Sequence, residues 1–223
     1  PLTSSAASDV YKRQINKSTD YFNTKLYTGT GSSQSITGVG FQPDWTWIKN
    51  RSATQHHNLF DAVRGAGKLL YSNLSDAEAT SSTHLTSFDS DGFSLGTAAS
   101  SNGSGNNIVA WNWKAGTTSS ISGGSITPSG VSINTTSSFG IYKYAGTGSA
   151  GTIAHGLGST PKMFIVKRID GGSDAWFVYH VGADATAPQN KYLILNTTGA
   201  VADATVWNDT CLLYTSPSPR DSV

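Results

Sequence analysis

Short runs of apolar and β-branched residues alternate with polar turns along most of the chain. The clearest runs are DWTWIKN, IVAWNW, GFSLG, KMFIVKR, WFVYHV and KYLILN, and turn residues such as Gly, Pro, Asn or Asp flank them. Runs of this length predict β-strands, and several at close spacing are typical of a sandwich or a barrel. Only residues 58–68 and 76–80 could carry a helical turn. The pattern therefore predicts an all-β fold.

The sequence contains an internal repeat. The segment that starts at Tyr27, YTGTGSSQSITGVGFQPDWTWIKN, aligns with YAGTGSAGTIAHGLGSTPKMFIVKR, which starts at Tyr144. Further on, KLLYSN (68–73) aligns with KYLILN (191–196). The first copy continues through DGFSLG to NNIVAWNWKAG, whereas the second has no counterpart of these strands before Thr210. We therefore expect two tandem β-sandwich, jelly-roll-like units, the second of them truncated.

This alignment divides the chain into five segments. Residues 15–116 form the first unit and residues 131–210 the truncated second unit, and the Gly/Ser/Thr-rich segment 117–130 is typical of a flexible linker. Residues 1–14 and 211–223 have a different origin in this interpretation. Back-translation of residues 4–14 and 211–221 gives DNA that resembles a transposase sequencing adapter at one end and the opposite adapter at the other. We expect adapter-derived tails around an internal fragment of a longer gene.

Net charge and cysteine content argue against several classes of partner and site. The chain has 15 Lys and Arg against 14 Asp and Glu, and omitting the two expected tails leaves 12 of each. A neutral chain rich in Gly, Ser, Thr and Asn argues against a nucleic-acid or anionic-membrane partner. The single cysteine, Cys211, lies in an expected tail, which leaves no disulfide and no Cys-ligated metal site elsewhere. We predict no cofactor.

Two tryptophan pairs are candidate ligand-binding residues. Side chains alternate along a strand, so Trp45 and Trp47 share one face of their strand and Trp111 and Trp113 share one face of theirs. The second unit has Met and Ile at the positions of the first pair, and these can fill a core but cannot stack on a sugar. We therefore expect core packing for Trp45 and Trp47. Trp111 and Trp113 are the candidate glycan-binding residues, with core packing as the alternative.

The segment FDSDG offers the weak metal candidates Asp89 and Asp91. Two aspartates before Gly92 resemble the opening of a calcium loop, but a third acidic ligand and a distal Glu are missing. We expect an Asp-Gly turn between two strands and no metal site.

One polar cluster has residue types that are common in catalysis: His56, His57, Asp61 and Arg64. No Gly-x-Ser-x-Gly elbow supplies a nucleophile, and adjacent histidines on a strand face opposite sides. We expect a solvated loop here. Glu78, the only glutamate, lies in a polar stretch that predicts a loop, which argues against the paired carboxylates of a retaining glycosidase. The sequence therefore predicts a protein that is not an enzyme.

The longer motifs are similar to a known family. YTGTGSSQSITGVGFQPDWTWIKNRS, HNLFDAVRGAGKLLYSN, LTSFDSDGFSLG and NGSGNNIVAWNWKAG resemble repeat units in large structural proteins of marine tailed phages. HGLGSTPKMFIVKR and KYLILNTT resemble an alternate form of the same unit, so the resemblance covers almost all of residues 20–210. Asn112 departs from the family pattern, which is closer to AWCWK. The resemblance implies a tail, fibre or other virion-surface protein and supplies no functional residues.

Three functions follow as hypotheses. The leading one is a non-enzymatic structural or adhesive repeat of a phage tail or fibre protein, located in the virion or outside the cell. Other virion subunits are its expected partners, host-surface glycans are its candidate ligands, and the full-length protein is expected to be a homo-oligomer. The second is a carbohydrate-binding module of a secreted bacterial enzyme, or a lectin-like or glucanase-like domain. The third is a fragment of a glycosidase.

Overall fold

The computed structural model describes residues 17–116, 120–171, 173–203 and 207 of the 223-residue chain. The strands of its first half are β1 (Phe22–Thr28), β2 (Gln34–Ile36), β3 (Trp45–Asn50), β4 (Asn58–Asp61), β5 (Lys68–Tyr71), β6 (Ala79–Thr80), β7 (Leu85–Asp89), β8 (Gly92–Leu95) and β9 (Asn107–Trp113). Those of its second half are β10 (Gly130–Asn134), β11 (Phe139–Lys143), β12 (Met163–Val166), β13 (Phe177–His180), β14 (Lys191–Ile194) and β15 (Ala202–Asp203). Helical structure in the described ranges is limited to α1 (Ala99–Asn102) and the 3-10 turns Ser18–Asp20, Val181–Ala183 and Pro188–Asn190. The all-β prediction is confirmed.

The first half is a two-sheet sandwich. A six-stranded antiparallel sheet, β1-β9-β3-β4-β5-β6, faces a three-stranded sheet, β2-β8-β7. Alternate residues of the larger sheet point into the space between the sheets, where Ile48, Phe60 and Ile108 meet Phe93 of the smaller one. Burying an aliphatic or aromatic side chain of this size contributes about 1.5–3 kcal/mol relative to leaving it in water, and this core holds the two sheets together.

Residues 58–68 and 76–80 hold less helical structure than the pattern allowed. Within 58–68, a single turn closes with a hydrogen bond from the Gly65 N–H to the Asp61 carbonyl oxygen at 3.0 Å, and residues 79–80 form a strand. Asn58–Asp61 is a strand whose four residues are all buried, so it lacks the alternation by which a half-buried strand is recognised. Phe60 points into the sandwich core, whereas Leu59 points to the opposite, outer face of the six-stranded sheet. A strand covered on both faces reads as a continuous apolar run, which is the physical reason that the pattern allowed a helical turn here.

The second half repeats the pairing of the first over four strands. Its sheet β12-β13-β14-β15 has the order of β3-β4-β5-β6, and residues that the sequence alignment superposes also occupy the same places in the ladders. The matching ladder pairs are Trp45–Asp61 with Met163–His180, Leu59–Leu70 with Val178–Leu193, and Lys68–Thr80 with Lys191–Asp203.

Turn chemistry also recurs between the halves. The Asn73 side chain accepts a hydrogen bond from the His57 backbone N–H at 2.9 Å, and the aligned Asn196 accepts one from Trp176 N–H at 3.1 Å. Glycines with positive φ occupy matched turn positions: Gly31, Gly38 and Gly40 in the first half, and Gly148, Gly156 and Gly158 in the second. Gly29 is required by close approach, because a Cβ there would lie 2.3 Å from the Gly103 carbonyl oxygen.

The two halves pack against each other through the outer face of the six-stranded sheet. Leu59 and Leu70 contact Trp176, which is 2% exposed. The Trp176 indole N–H donates to the carbonyl oxygens of Tyr71 at 3.1 Å and Leu74 at 2.9 Å. The six-stranded sheet is therefore covered by the small sheet on one face and, around Leu59 and Leu70, by the second half on the other.

The segment between the halves is partly anchored. Of the expected linker, residues 120–130 are described, and Ser125 forms two hydrogen bonds with Thr152, at 2.9 and 3.0 Å. The Ile126 N–H adds a third bond to the Thr152 carbonyl oxygen at 3.0 Å. The chain here is attached to the second half before β10 begins.

Candidate binding site

Four tryptophans form a continuous patch on the outer face of the six-stranded sheet. Trp45 lies opposite Trp113 and Trp47 lies opposite Trp111 in the β3–β9 ladder, and all four are half-buried. The prediction that each pair shares one face of its strand is confirmed. The structure divides the patch across the strands, into a Trp45–Trp113 end and a Trp47–Trp111 end.

The Trp45–Trp113 end is filled by the protein's own rings. Phe22 lies against Trp113 with ring centroids 4.8 Å apart, and Phe139 of the second half stacks on Trp113 at 6.3 Å. Phe139 also meets Trp45 edge-on at 6.2 Å. Aromatic packing of this kind stabilises the junction between the halves, so Trp113 acts in packing.

The Trp47–Trp111 end borders an open cleft of about 380 Å³ between the two halves. Trp47 lines the cleft, and Trp111 on the neighbouring strand meets the Trp47 ring edge-on at 6.1 Å. The cleft is lined from the first half by Trp47, His57, Ser72 and Asn73, and from the second half by Leu195, Asn196, Thr197 and Thr198.

Two buried polar atoms at this cleft have no hydrogen-bond partner in the described structure: the Trp47 indole nitrogen and the Ser72 hydroxyl oxygen. A buried polar group without a partner costs about 1–3 kcal/mol, so a water or a ligand hydroxyl that satisfied them would be stabilised. Burial, followed by the charges of Lys49 and His56, lowers the pKa of His57 and favours its neutral form. An aromatic wall with neutral amides and hydroxyls suits an uncharged polyol such as a sugar.

The sequence pointed to this patch but not to the cleft. Trp111 lies beside it, whereas Ser72 and Asn73 come from a turn and Thr197 and Thr198 from a distant segment, so no local spacing joins them. The alignment of Asn73 with Asn196 was the one available signal, because two matched turns meet at the cleft.

The expectation of a solvated loop at Asp61 and Arg64 is wrong. Arg64 Nε lies 2.6 Å from Asp61 Oδ2, and the two side chains are 6% and 5% exposed. Arg64 Nη1 also lies 3.1 Å from Glu78 Oε2, and Glu78 is in the predicted loop, immediately before β6. A buried carboxylate needs a partner, and Arg64 supplies it, so these residues form an internal ion-pair network. His56 lies apart from the network, with its ring against Tyr71.

Asp89 is the last residue of β7, Asp91 lies in the turn before β8, and the two side chains have different partners. Asp91 accepts the backbone N–H groups of Gly40 at 2.6 Å and Gly38 at 2.9 Å, and these hydrogen bonds lower its pKa. Asp89 accepts the hydroxyls of Ser87 and Ser94, each at 2.7 Å. The structure therefore shows the predicted turn. Within the described residues, no group of three or more His, Cys, Asp or Glu side chains is placed to hold a metal ion.

Comparison with protein families gives one match. The sequence profile of the family described as Domain of unknown function (DUF7483) matches residues 17–217. The chain belongs to this family. The DUF7483 match spans both sheets of the first half, the cleft and the second half. Comparisons with curated proteins and with solved structures found no match. In the described part of the chain, no helix is both long enough and apolar enough to span a membrane.

Proposed function

We propose that this DUF7483 chain is a non-enzymatic structural and adhesive repeat module of a phage tail or fibre protein. The observation that carries the proposal is the coverage of the six-stranded sheet on both faces. Its inner face packs on its own small sheet, and its outer face packs on the following half through Trp176. A module whose outer face binds the next module builds length along a chain, which is what a tail or fibre requires.

The protein would then lie in the virion, exposed outside the cell, as a homo-oligomer with other virion subunits as its partners. The support for this location is chemical. The chain is nearly neutral and rich in hydroxyl and amide side chains, which suits an external surface. Asp61, Arg64 and Glu78, which could have acted as acid, base or electrophile, are engaged with one another in an ion-pair network.

Genome context and virion labelling test the proposal. The parent gene, recovered from the source DNA, should lie near terminase, portal or baseplate genes. Antibodies against the purified chain should then label the tails or fibres of particles from the same source in immunogold electron microscopy. Flanking genes for secreted polysaccharide-degrading enzymes, together with unlabelled particles, would contradict it.

A carbohydrate-binding module is the second candidate, and the cleft at Trp47 favours it. We expect a glycan array to detect binding by the purified chain, with Trp47→Ala abolishing it and Trp111→Ala weakening it. Leu26→Ala is the control, because Leu26 is 66% exposed and does not line the cleft. Equal loss in all three variants, or no bound glycan, would argue against this cleft as a sugar site.

A further inference from the structure

Equivalent strands of the two halves differ in how many neighbours they have. β3 pairs with β4 on one side and with β9 on the other. Its equivalent, β12, has the same register with β13, but within the described residues it has no pairing on its other side. The second half thus presents a strand edge at the position where the first half holds β9.

The residues of β12 are also less covered than those of β3. Ile48 is 0% exposed, whereas its equivalent Val166 is half-buried. Met163, the equivalent of Trp45, is 50% exposed. An edge strand that carries exposed apolar side chains is a template for pairing with another strand.

We propose that the edge of β12 binds a β9-type strand, an extended segment with the pattern Ile-Val-Ala-Trp-Asn-Trp, in antiparallel orientation. In the first half, Trp113 lies opposite Trp45 and Trp111 lies opposite Trp47. The same register would place the two tryptophans of the incoming strand opposite Met163 and Ile165. A thioether and a branched aliphatic side chain both pack well on an indole ring.

Charge argues against a second copy of β12 as the occupant. An antiparallel pair of two KMFIVKR segments centred on Ile165 would place Lys162 opposite Arg168 and Lys167 opposite Met163. Like charges opposite each other destabilise a strand pair, whereas the β9 pattern places uncharged side chains opposite Lys167 and Arg168. Strand addition of this kind obtains affinity from main-chain hydrogen bonds and specificity from alternate side chains.

A synthetic peptide tests the proposal on the full chain. The peptide GSGNNIVAWNW, the sequence of residues 103–113, ends before Lys114 because that lysine would face Lys162. We expect saturable binding in fluorescence anisotropy of the N-terminally labelled peptide, and slower hydrogen exchange of the β12 amides. The control peptide carries Pro at the positions of Ala110 and Trp111 and should not bind. Successive N–H groups of a strand point to opposite edges, so one of two adjacent prolines always removes an N–H that would donate to β12.

Two variants of the chain separate side-chain recognition from misfolding. Met163→Glu should weaken the peptide about fivefold, and Met163→Leu should leave its affinity within about twofold. Absence of binding, equal binding of the proline peptide, or protection at β3 in place of β12 would overturn the proposal. Slow hydrogen exchange of the β12 amides without peptide would overturn it too, whether the chain is a monomer or a concentration-dependent dimer. Another strand would then already pair with this edge. None of these results bears on the virion location proposed above.

Discussion

Arg64 shows how one residue can hold a local structure together. Its guanidinium contacts Asp61 and Glu78, and it also donates to the carbonyl oxygen of Lys68 at 3.0 Å. These partners belong to the end of β4, to the start of β5 and to the loop before β6. Because the Asp61 and Arg64 side chains are almost fully buried, each carries a charge that only the other group and its neighbours stabilise.

Replacing Arg64 by alanine should therefore be strongly destabilising. We expect Arg64→Ala to lower the free energy of unfolding by about 3–5 kcal/mol, because Asp61 would remain buried and unpaired. Urea unfolding followed by tryptophan fluorescence measures the change. Lys17→Ala is the control, since Lys17 forms an exposed pair with Asp20 and should change stability by less than about 1 kcal/mol. Equal effects of the two substitutions would contradict the network.

Two histidines, the buried His155 and the half-buried His84, predict that the protein loses stability in acid. His84 is held between the hydroxyls of Ser81 and Ser100, and His155 accepts the Leu157 N–H. Burial lowers the pKa of both imidazoles in the folded protein. The unfolded chain therefore binds protons more readily, so stability is highest above the unfolded pKa of about 6.5 and falls as the pH drops below it.

The pH dependence is measured as the urea midpoint between about pH 7.5 and about pH 5, a range above the ordinary pKa values of Asp and Glu. The midpoint should fall with pH in the parent chain, and the fall should be smaller in His84→Gln, which cannot titrate. A midpoint that is constant or rises toward pH 5 would show that these histidines are not buried as neutral groups.

At the scale of the element, β9 joins two strands of the six-stranded sheet and also contacts the second half through Trp113. It pairs with β1 on one side and β3 on the other, and its buried Asn112 accepts the Thr46 hydroxyl at 3.1 Å and donates to the Asn23 carbonyl oxygen at 3.2 Å. Its outer face carries Trp111 and Trp113. Trp111 and Trp113 lie on the same face of one strand but have different surroundings. The elements that pack on each ring, and not the strand itself, produce this difference.

The two tryptophans of β9 should respond differently to truncation. We expect Trp113→Ala to lower the free energy of unfolding by about 3 kcal/mol, because Phe22 and Phe139 lose their packing partner. Trp111→Ala should cost clearly less, since within the described residues its ring meets only the ring of Trp47. Thermal unfolding by calorimetry compares the two variants. A larger loss for Trp111→Ala would show that the Trp47–Trp111 end is the more tightly packed.

The whole molecule is held together at the junction around Trp176. This side chain buries its ring against Leu59 and Leu70 and donates to two carbonyl oxygens of the first half. A further hydrogen bond joins the halves, from the Glu78 N–H to the Ile169 carbonyl oxygen at 3.1 Å. Cooperative unfolding of the two halves depends on this contact.

Trp176→Ala should uncouple the halves. We expect a loss of about 3–5 kcal/mol, the usual range for removing a buried aromatic side chain, together with separate unfolding transitions for the two halves. Limited proteolysis with mass spectrometry should then show faster cleavage within residues 131–203 and a protected fragment from the first half. Val201→Ala, at an exposed position, is the control and should behave like the parent chain. A single transition and even cleavage in Trp176→Ala would contradict this role.

Local pattern predicted much of the fold and little of the candidate site. The runs DWTWIKN, IVAWNW and KYLILN were predicted as strands because short β-branched and aromatic runs bounded by turn residues favour extended backbone, and each contains a strand in the structure. Gly38 and Gly40 have positive φ, a conformation that favours glycine for reasons local to the backbone. Residues 58–61 were missed, since a strand buried on both faces carries no alternation.

The sequence by itself determined which residues form strands outside 58–61, which tryptophans share a face, and which positions of the two halves correspond, because these depend on neighbours along the chain. Only the tertiary structure decided what covers each face. It placed Phe139 on Trp113, brought Thr197 to the cleft beside Trp47, and buried Asp61 with Arg64. Burial and contact between distant segments depend on how the sheets pack, and no local pattern of residues contains that information.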